Sequence, residues 1–249
     1  MFSFFHRTNK IYLDCFTDIP QIFQQTPIVR ASKVFPDWWK DLPTPKLNFN
    51  YDNTEYVSPS TDSNMRNCFG FLELYKRGII IESWCDLHIK SSKEEIRYFY
   101  SNGKSPGSHN RSQWGEGFKN YHHLKLHSPW FFQEKTGINF LFFGAEWHLE
   151  DYDFKIVPGL IRYDLTAGTN VNMMIPAKDT EYFIPMGKPL VHIVPLSDKK
   201  IVLKNHLVTT EEFNRKAIQV GGSWHGWRSS IELIYRNRKR NSRCPFGRM

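Results

Sequence analysis

The stretch YHHLKLHSPW (121–130) packs three of the chain's ten histidines into its first seven residues. Its reading separates a metal knuckle from one strand of a sheet. In a strand, alternate side chains share a face, so Tyr121, His123, Lys125 and His127 point one way, and His122, Leu124 and Leu126 the other. His123 and His127 then stand roughly 13 Å apart at strand rise, too far to share one ion. Lys125 between them repels a cation. His122 falls on the apolar parity, where a hydrogen-bonded core histidine is the commoner outcome. The stretch therefore reads as a half-buried strand, with His123, Lys125 and His127 outward.

Similar signals continue to residue 208: GINFLFFG, FKIVPGLIRYDL, NVNMMIP, EYFIP, PLVHIVPL and KIVLKNHLV. Each is short, bounded by turn residues and rich in β-branched or aromatic side chains. Upstream, IYLDCF (11–16) and EEIRYFYSNG (94–103) match this pattern. IIIESWCDLHIK (79–90) alternates over its second half and is expected to form one strand. FGFLELYKRG (69–78) reads as a helical turn stopped by Gly78, and ASKVFPDWWKDLP (31–43) as a short helix presenting Trp38 and Trp39 to the edge of the core. Thr209 and Glu212 have capping-box spacing before Phe213, Ala217 and Ile218, and Gly221 and Gly222 end that helix. Trp224, Trp227, Ile231 and Ile234 recur at helical spacing and predict a second helix.

These signals predict a mainly β, α+β fold: an antiparallel sandwich or distorted barrel with short N-terminal helical turns and two C-terminal helices. One globular domain is expected over 1–235. It comprises a proline-rich irregular periphery (1–68), a β core (69–208) and C-terminal helices (209–235), followed by a basic tail (236–249). Residues 101–119 hold four glycines in a long polar loop, a length often associated with function.

Composition narrows the function classes. Hydrophobic residues make up 40% and aromatics 16% of the chain, the opposite of a disordered composition. No apolar run reaches the roughly 18 residues of a membrane span, and MFSFFHRTNK lacks the pattern of a secretory leader. An intracellular, membrane-free protein is expected. Cys15, Cys68, Cys85 and Cys244 are scattered, without the spacing of a zinc knuckle or redox pair. The net charge of +8 resides mostly at one end: removing Arg236, Arg238, Lys239, Arg240, Arg243 and Arg248 leaves 27 basic against 25 acidic residues. Of these, Arg236, Arg238, Lys239, Arg240 and Arg243 are the candidates for contacting nucleic acid or another anion; a solvated terminus is the plain alternative.

No cofactor is expected, and no metal site within 121–130. A ligand set assembled across strands would draw on His88, His122, His148 and His192, each near an expected strand. PMGKPLVH (185–192) resembles the second half of a cupin metal motif, but no H-x-H-plus-carboxylate half accompanies it. No Walker loop, G-x-S-x-G elbow or H-E-x-x-H occurs.

PDWWKDLP (36–43), SPW (128–130) with GINFLFFG, IVPGLIRYDL (156–165) and IPMGKPLVHIVPL (184–196) together resemble a family of uncharacterised proteins. Its members occur in tailed phages, cyanophages among them, and in scattered bacteria. The resemblance implies a phage-encoded protein of the host cytoplasm or the virion. At the level of fold, PGLIRYDL and GKPLVHIV resemble the last two core motifs of dUTPase and dCTP-deaminase-like β-clip enzymes, in which a glycine-turned hairpin presents an Asp to a nucleotide. That implies a pocket near Gly159, Arg162, Asp164, Gly187 and His192. Arg162 stands where the family's catalytic Asp would be, and a guanidinium cannot serve as a base at neutral pH.

The leading expectation is a non-catalytic binding protein with a protein partner from host or phage. Nucleic acid could be held through the tail, and oligomerisation is left open. The alternatives are a nucleotide-processing or metal-dependent enzyme using Arg162, Asp164 and His192, and a virion structural component.

Overall fold

The computed structural model of the protein describes residues 9–44, 64–101, 106–109, 115–166 and 168–221. Among these residues the mainly β, α+β expectation is borne out: fourteen strands are arranged in three sheets, with short helices, and no sheet closes into a barrel.

YHHLKLHSPW lies in β7 (Tyr121–Gln133), the longest of the described strands. Leu124, Leu126, Trp130 and Phe132 enter the core, while Tyr121, Lys125, His127 and Phe131 are half-buried. The alternation holds, but the histidine face is not outward. His123 is buried, and β11 (Gly168–Pro176) supplies partners on that face. His127 Nδ1 donates to Asn170 Oδ1 at 3.0 Å, and His123 Nε2 to Asn172 Oδ1 at 3.3 Å.

Pro129 shapes this strand. It has no N–H for a ladder and is tolerated at bulges. The pairing with β11 slips there: Asn170 is opposite His127 and Gly168 opposite Phe131, so β7 carries extra residues around Ser128–Trp130. The Trp130 amide left out of the ladder donates to Ser128 Oγ at 3.2 Å, and the indole Nε1 donates to the Thr26 carbonyl at 3.2 Å. On its other edge β7 pairs with β6 (Gly107–His109) before the bulge and with β1 (Lys10–Thr17) after it. The first 68 residues thus contribute a strand to the interior of the six-stranded sheet. That sheet is completed by β9 (Lys155–Ile156) beside β11 and by β14 (Lys200–Leu207) beside β1. The β1–β14 pair is parallel, Lys10 opposite Lys200 through Thr17 opposite Leu207, which departs from the expected antiparallel pairing.

The second sheet has the order β10 (Gly159–Ile161), β8 (Phe140–Gly144), β13 (Pro189–Pro195), β3 (Ile79–Glu82), β2 (Val29–Arg30). The third is β12 (Thr180–Ile184), β4 (Leu87–Ser91), β5 (Ile96–Tyr100). Residues 79–90 are therefore two strands in different sheets, not one. The break is held from afar. Ser83 N donates to the Lys188 carbonyl at 2.7 Å, Gly187 N donates to the Ser83 carbonyl at 2.8 Å, and Ser83 Oγ donates to the Cys85 carbonyl at 2.7 Å. The β3–β4 and β12–β13 connections thus cross between sheets side by side. One core joins all three sheets through Leu13, Trp130, Ile81, Val191, Ile89 and Ile184.

Two helices behave as expected. α3 (Phe69–Lys76) is followed by Gly78 at φ 155°, and α4 (Thr210–Gly221) begins with Glu212 N donating to Thr209 Oγ1 at 3.2 Å. Trp38 and Trp39 on α2 (Asp37–Lys40) plug the core edge as expected, packing with Phe35, Phe71 and Tyr75. The second C-terminal helix and the basic tail lie outside the described residues.

The β7–β8 turn is organised by a buried carboxylate. Glu134, 1% exposed, accepts from Thr136 N (2.7 Å), Gly137 N (2.8 Å), Ile138 N (3.2 Å) and the Thr136 hydroxyl. Gly137 is left-handed there, at φ 76°. Removing the acceptor leaves three amides and a hydroxyl of a part-buried turn without their charged partner, at about 1 kcal/mol each. Glu134→Ala is expected to lower the unfolding free energy by about 3 kcal/mol or more and Glu134→Gln by roughly half as much. Urea denaturation with an unchanged slope would check both values.

Candidate functional site

The five residues of the sequence-expected pocket do not converge. Gly159 is opposite Phe142 on one edge of β8, while His192 is opposite Phe143 on the other edge. Two strand spacings, about 10 Å, separate those chains. Arg162 and Asp164 lie beyond the end of β10. Their charges engage each other in a two-pronged ion pair, Nε to Oδ1 at 3.0 Å and Nη2 to Oδ2 at 2.6 Å. The hydrogen bonds it donates to Asp164 raise the Arg162 pKa further. The Nε/Nη2 edge of the guanidinium is thus occupied, and the same Nη2 lies against Gly137 of the Glu134 turn. Gly187, at φ 86°, serves the crossing between sheets.

The four histidines considered for a cross-strand metal site also go to separate places. His88 is paired with Glu181 on the outer face of the third sheet, and His122 Nε2 donates to the Ser92 carbonyl at 2.8 Å. His148 and His192 do approach each other, both against Tyr75, with ring centroids 6.0 and 5.4 Å from it. Phe143 covers the other side of His192 at 5.2 Å. Among the described residues Nε2 of neither ring has a hydrogen-bond partner. Nε2 of His192 abuts Gly78, where a Cβ would come within 2.9 Å, so packed glycine backbone occupies the space beside it. Among the described residues no group of three or more His, Cys, Asp or Glu side chains is placed to hold a metal ion. A pocket lined by Ser83, Trp84, Cys85, Tyr100, Leu126 and His127 has a free volume near 10 Å³, room for about one water.

The surface missed by the sequence reading is the outer face of β12-β4-β5. Register places Phe183 opposite His88 and His88 opposite Phe99, one row across three strands. Phe99 is 62% and Phe183 58% exposed, with the His88 ring between them at 6.2 and 6.4 Å. One row along stand Glu181, Lys90 and Arg97. Glu181 bonds His88 and lies 3.3 Å from Lys90; the hydrogen bond from His88 is the main reason its carboxyl titrates below the usual range. On the other side lie Met186, Asp86 and Ser101. Asp86 Oδ1 accepts from Met186 N at 2.8 Å, and Ser101 Oγ accepts from Asp86 N at 3.0 Å. The opposite face, with Leu87, Ile89, Tyr182 and Ile184, is core. A sequence signal did exist: Phe99 shares parity with Arg97, and Phe183 with Glu181, so each aromatic falls on a charged face.

No family model matches the chain, and no curated protein matches it. Among the described residues no helix is long and apolar enough to cross a membrane. Arg236, Arg238, Lys239, Arg240 and Arg243 lie outside the described residues.

The buried imidazoles carry a pH signature. Desolvation, then the neighbouring His148, lowers the His192 pKa to about 4, and burial lowers that of His148 as well. Unfolded, both titrate near 6.5. Below that pH the unfolded chain takes up protons that the native state refuses, so stability is full above about 6.5 and declines as pH falls toward 4. For His192 the decline is about 3 kcal/mol. Replacing His192→Leu is expected to flatten that part of the curve, measured as the difference between the two proteins in denaturation series from pH 7 to 4.

Proposed function

We propose that this is a non-catalytic binding protein that engages a protein partner through the outer face of its three-stranded sheet. The observation that carries the reading is the exposed row Phe183–His88–Phe99 on a sheet whose other face is core. Single exposed apolar side chains are ordinary, but two large aromatics in one cross-strand row form a patch that water solvates poorly. Aromatics bordered by charged groups match the core-and-rim pattern of protein interfaces.

The charges favour a protein over a polyanion. Lys90 and Arg97 would welcome phosphate, but Glu181 and Asp86 stand on the same face and would repel it. Contact with nucleic acid remains a separate proposal resting on the sequence of the basic tail. The phage-encoded origin, and residence in host cytoplasm or virion, are the proposals that the motif resemblance implies.

The exposed rings contribute little to the fold, so Phe99→Ser with Phe183→Ser should leave the unfolding free energy within about 1 kcal/mol. Anchoring aromatics are each worth more than about 1 kcal/mol at an interface, so affinity for the partner should fall at least about tenfold. Quantitative capture from host extract, followed by titration of the recovered protein against both forms, measures this. Equal capture and equal affinity would overturn the reading.

A further inference from the structure

We propose that the partner on this face is a second copy of the same chain, docked face to face about a two-fold axis lying along the Phe183–His88–Phe99 row. The inference rests on the binding-face reading above and names its occupant.

In a two-fold contact the same patch meets itself, so the patch must be self-complementary. An axis along the aromatic row sets that row against its own copy, burying both rings of each chain. It also carries the Glu181–Lys90–Arg97 row of one chain over Asp86 and Ser101 of the other. Lys90 of one copy then faces Asp86 of the second, and symmetry makes this pair twice. Glu181 meets the uncharged segment that follows β12, Arg97 meets Ser101, and His88 on the axis meets its own copy, so Lys90, Arg97, Glu181 and Asp86 oppose no like charge. The alternative in-plane axis, along β4, sets Lys90 on Lys90 at its centre while bringing Glu181 of each copy to Arg97 of the other, and it leaves Asp86 facing its own copy. The strands of the two copies would run nearly aligned, the usual geometry of stacked sheets.

Size sets the strength. Three strands of five residues span an area about 14 Å by 17 Å. This is well short of the roughly 800 Å² per partner of a stable complex. A weak, concentration-dependent dimer is expected, not an obligate one.

Sedimentation velocity on the full chain, from about 5 to 500 µM, tests the proposal across the range expected for so small a contact. The wild type should pass from monomer to dimer with rising concentration. Lys90→Glu, which opposes Asp86, and Asp86→Lys, which opposes Lys90, should each weaken dimerisation at least about tenfold, and the two together should restore most of it. Thermal unfolding of each variant separates loss of the contact from loss of the fold, and Phe99→Ser supplies a dimer-breaking change that touches no turn. A monomer at every concentration, or single variants that dimerise like wild type, overturns the second-copy proposal. If that monomer still captures another protein through Phe99 and Phe183, the binding-face reading survives. If capture ignores those residues, both fall.

Discussion

The missing amide hydrogen of Pro129 governs the arrangement of this fold. A thirteen-residue strand with an unbroken ladder would offer each edge to a single neighbour. With Pro129 inside it, β7 bulges, and its two halves take different partners, β6 and then β1, while β11 follows the opposite edge on both sides of the slip. The bulge also lowers Trp130 into the core, where the Thr26 carbonyl receives its indole hydrogen. Because β1 joins β7 only past the bulge, the N-terminal strand lies between β7 and β14, and the parallel β1–β14 pair follows.

A second constraint creates the open face. Residues 83–86 and 185–188 leave one sheet and enter the next together, tied by bonds between Ser83 and the Gly187–Lys188 backbone. The left-handed conformation of Gly187 permits that close crossing. Its result is a three-stranded sheet whose inner face shares the common core and whose outer face has no covering layer among the described residues. Half-buried antiparallel sheets ordinarily place polar side chains on such a face. Here the Phe183–His88–Phe99 row interrupts that pattern, and the proposed function starts from the interruption.

Local chemistry was legible in the sequence wherever the determinants were local. The alternation of Leu124, Leu126, Trp130 and Phe132, the stop at Gly78 and the cap at Thr209 each depend on neighbours a few residues away, and each is found. What failed depended on distant partners. The pattern across 79–90 reads as one strand because the break is imposed by backbone more than a hundred residues later. The solvent side of β7 read as exposed because Asn170 and Asn172, which cover it, lie on another strand. The expected nucleotide pocket failed for a related reason. PGLIRYDL resembles a ligand-binding hairpin in shape, but Arg162 and Asp164, two residues apart in a tight turn, satisfy each other. The parity that puts Phe99 and Phe183 on charged faces was readable, but only the register showed that they align.

The outer face must be open enough to bind and closed enough to avoid indiscriminate association. Exposed β structure with apolar side chains invites sheet-to-sheet aggregation, which proteins suppress with charge. The row Glu181–Lys90–Arg97 and the carboxylate of Asp86 flank the aromatics on both sides, so an occupant must match alternating charges as well as cover two rings. A flat apolar surface would cover the rings and leave those charges desolvated without partners, a costly outcome. A polyanion would satisfy the cations and oppose the acids. The face therefore selects by charge pattern and binds by aromatic burial, and its small area keeps any single contact reversible.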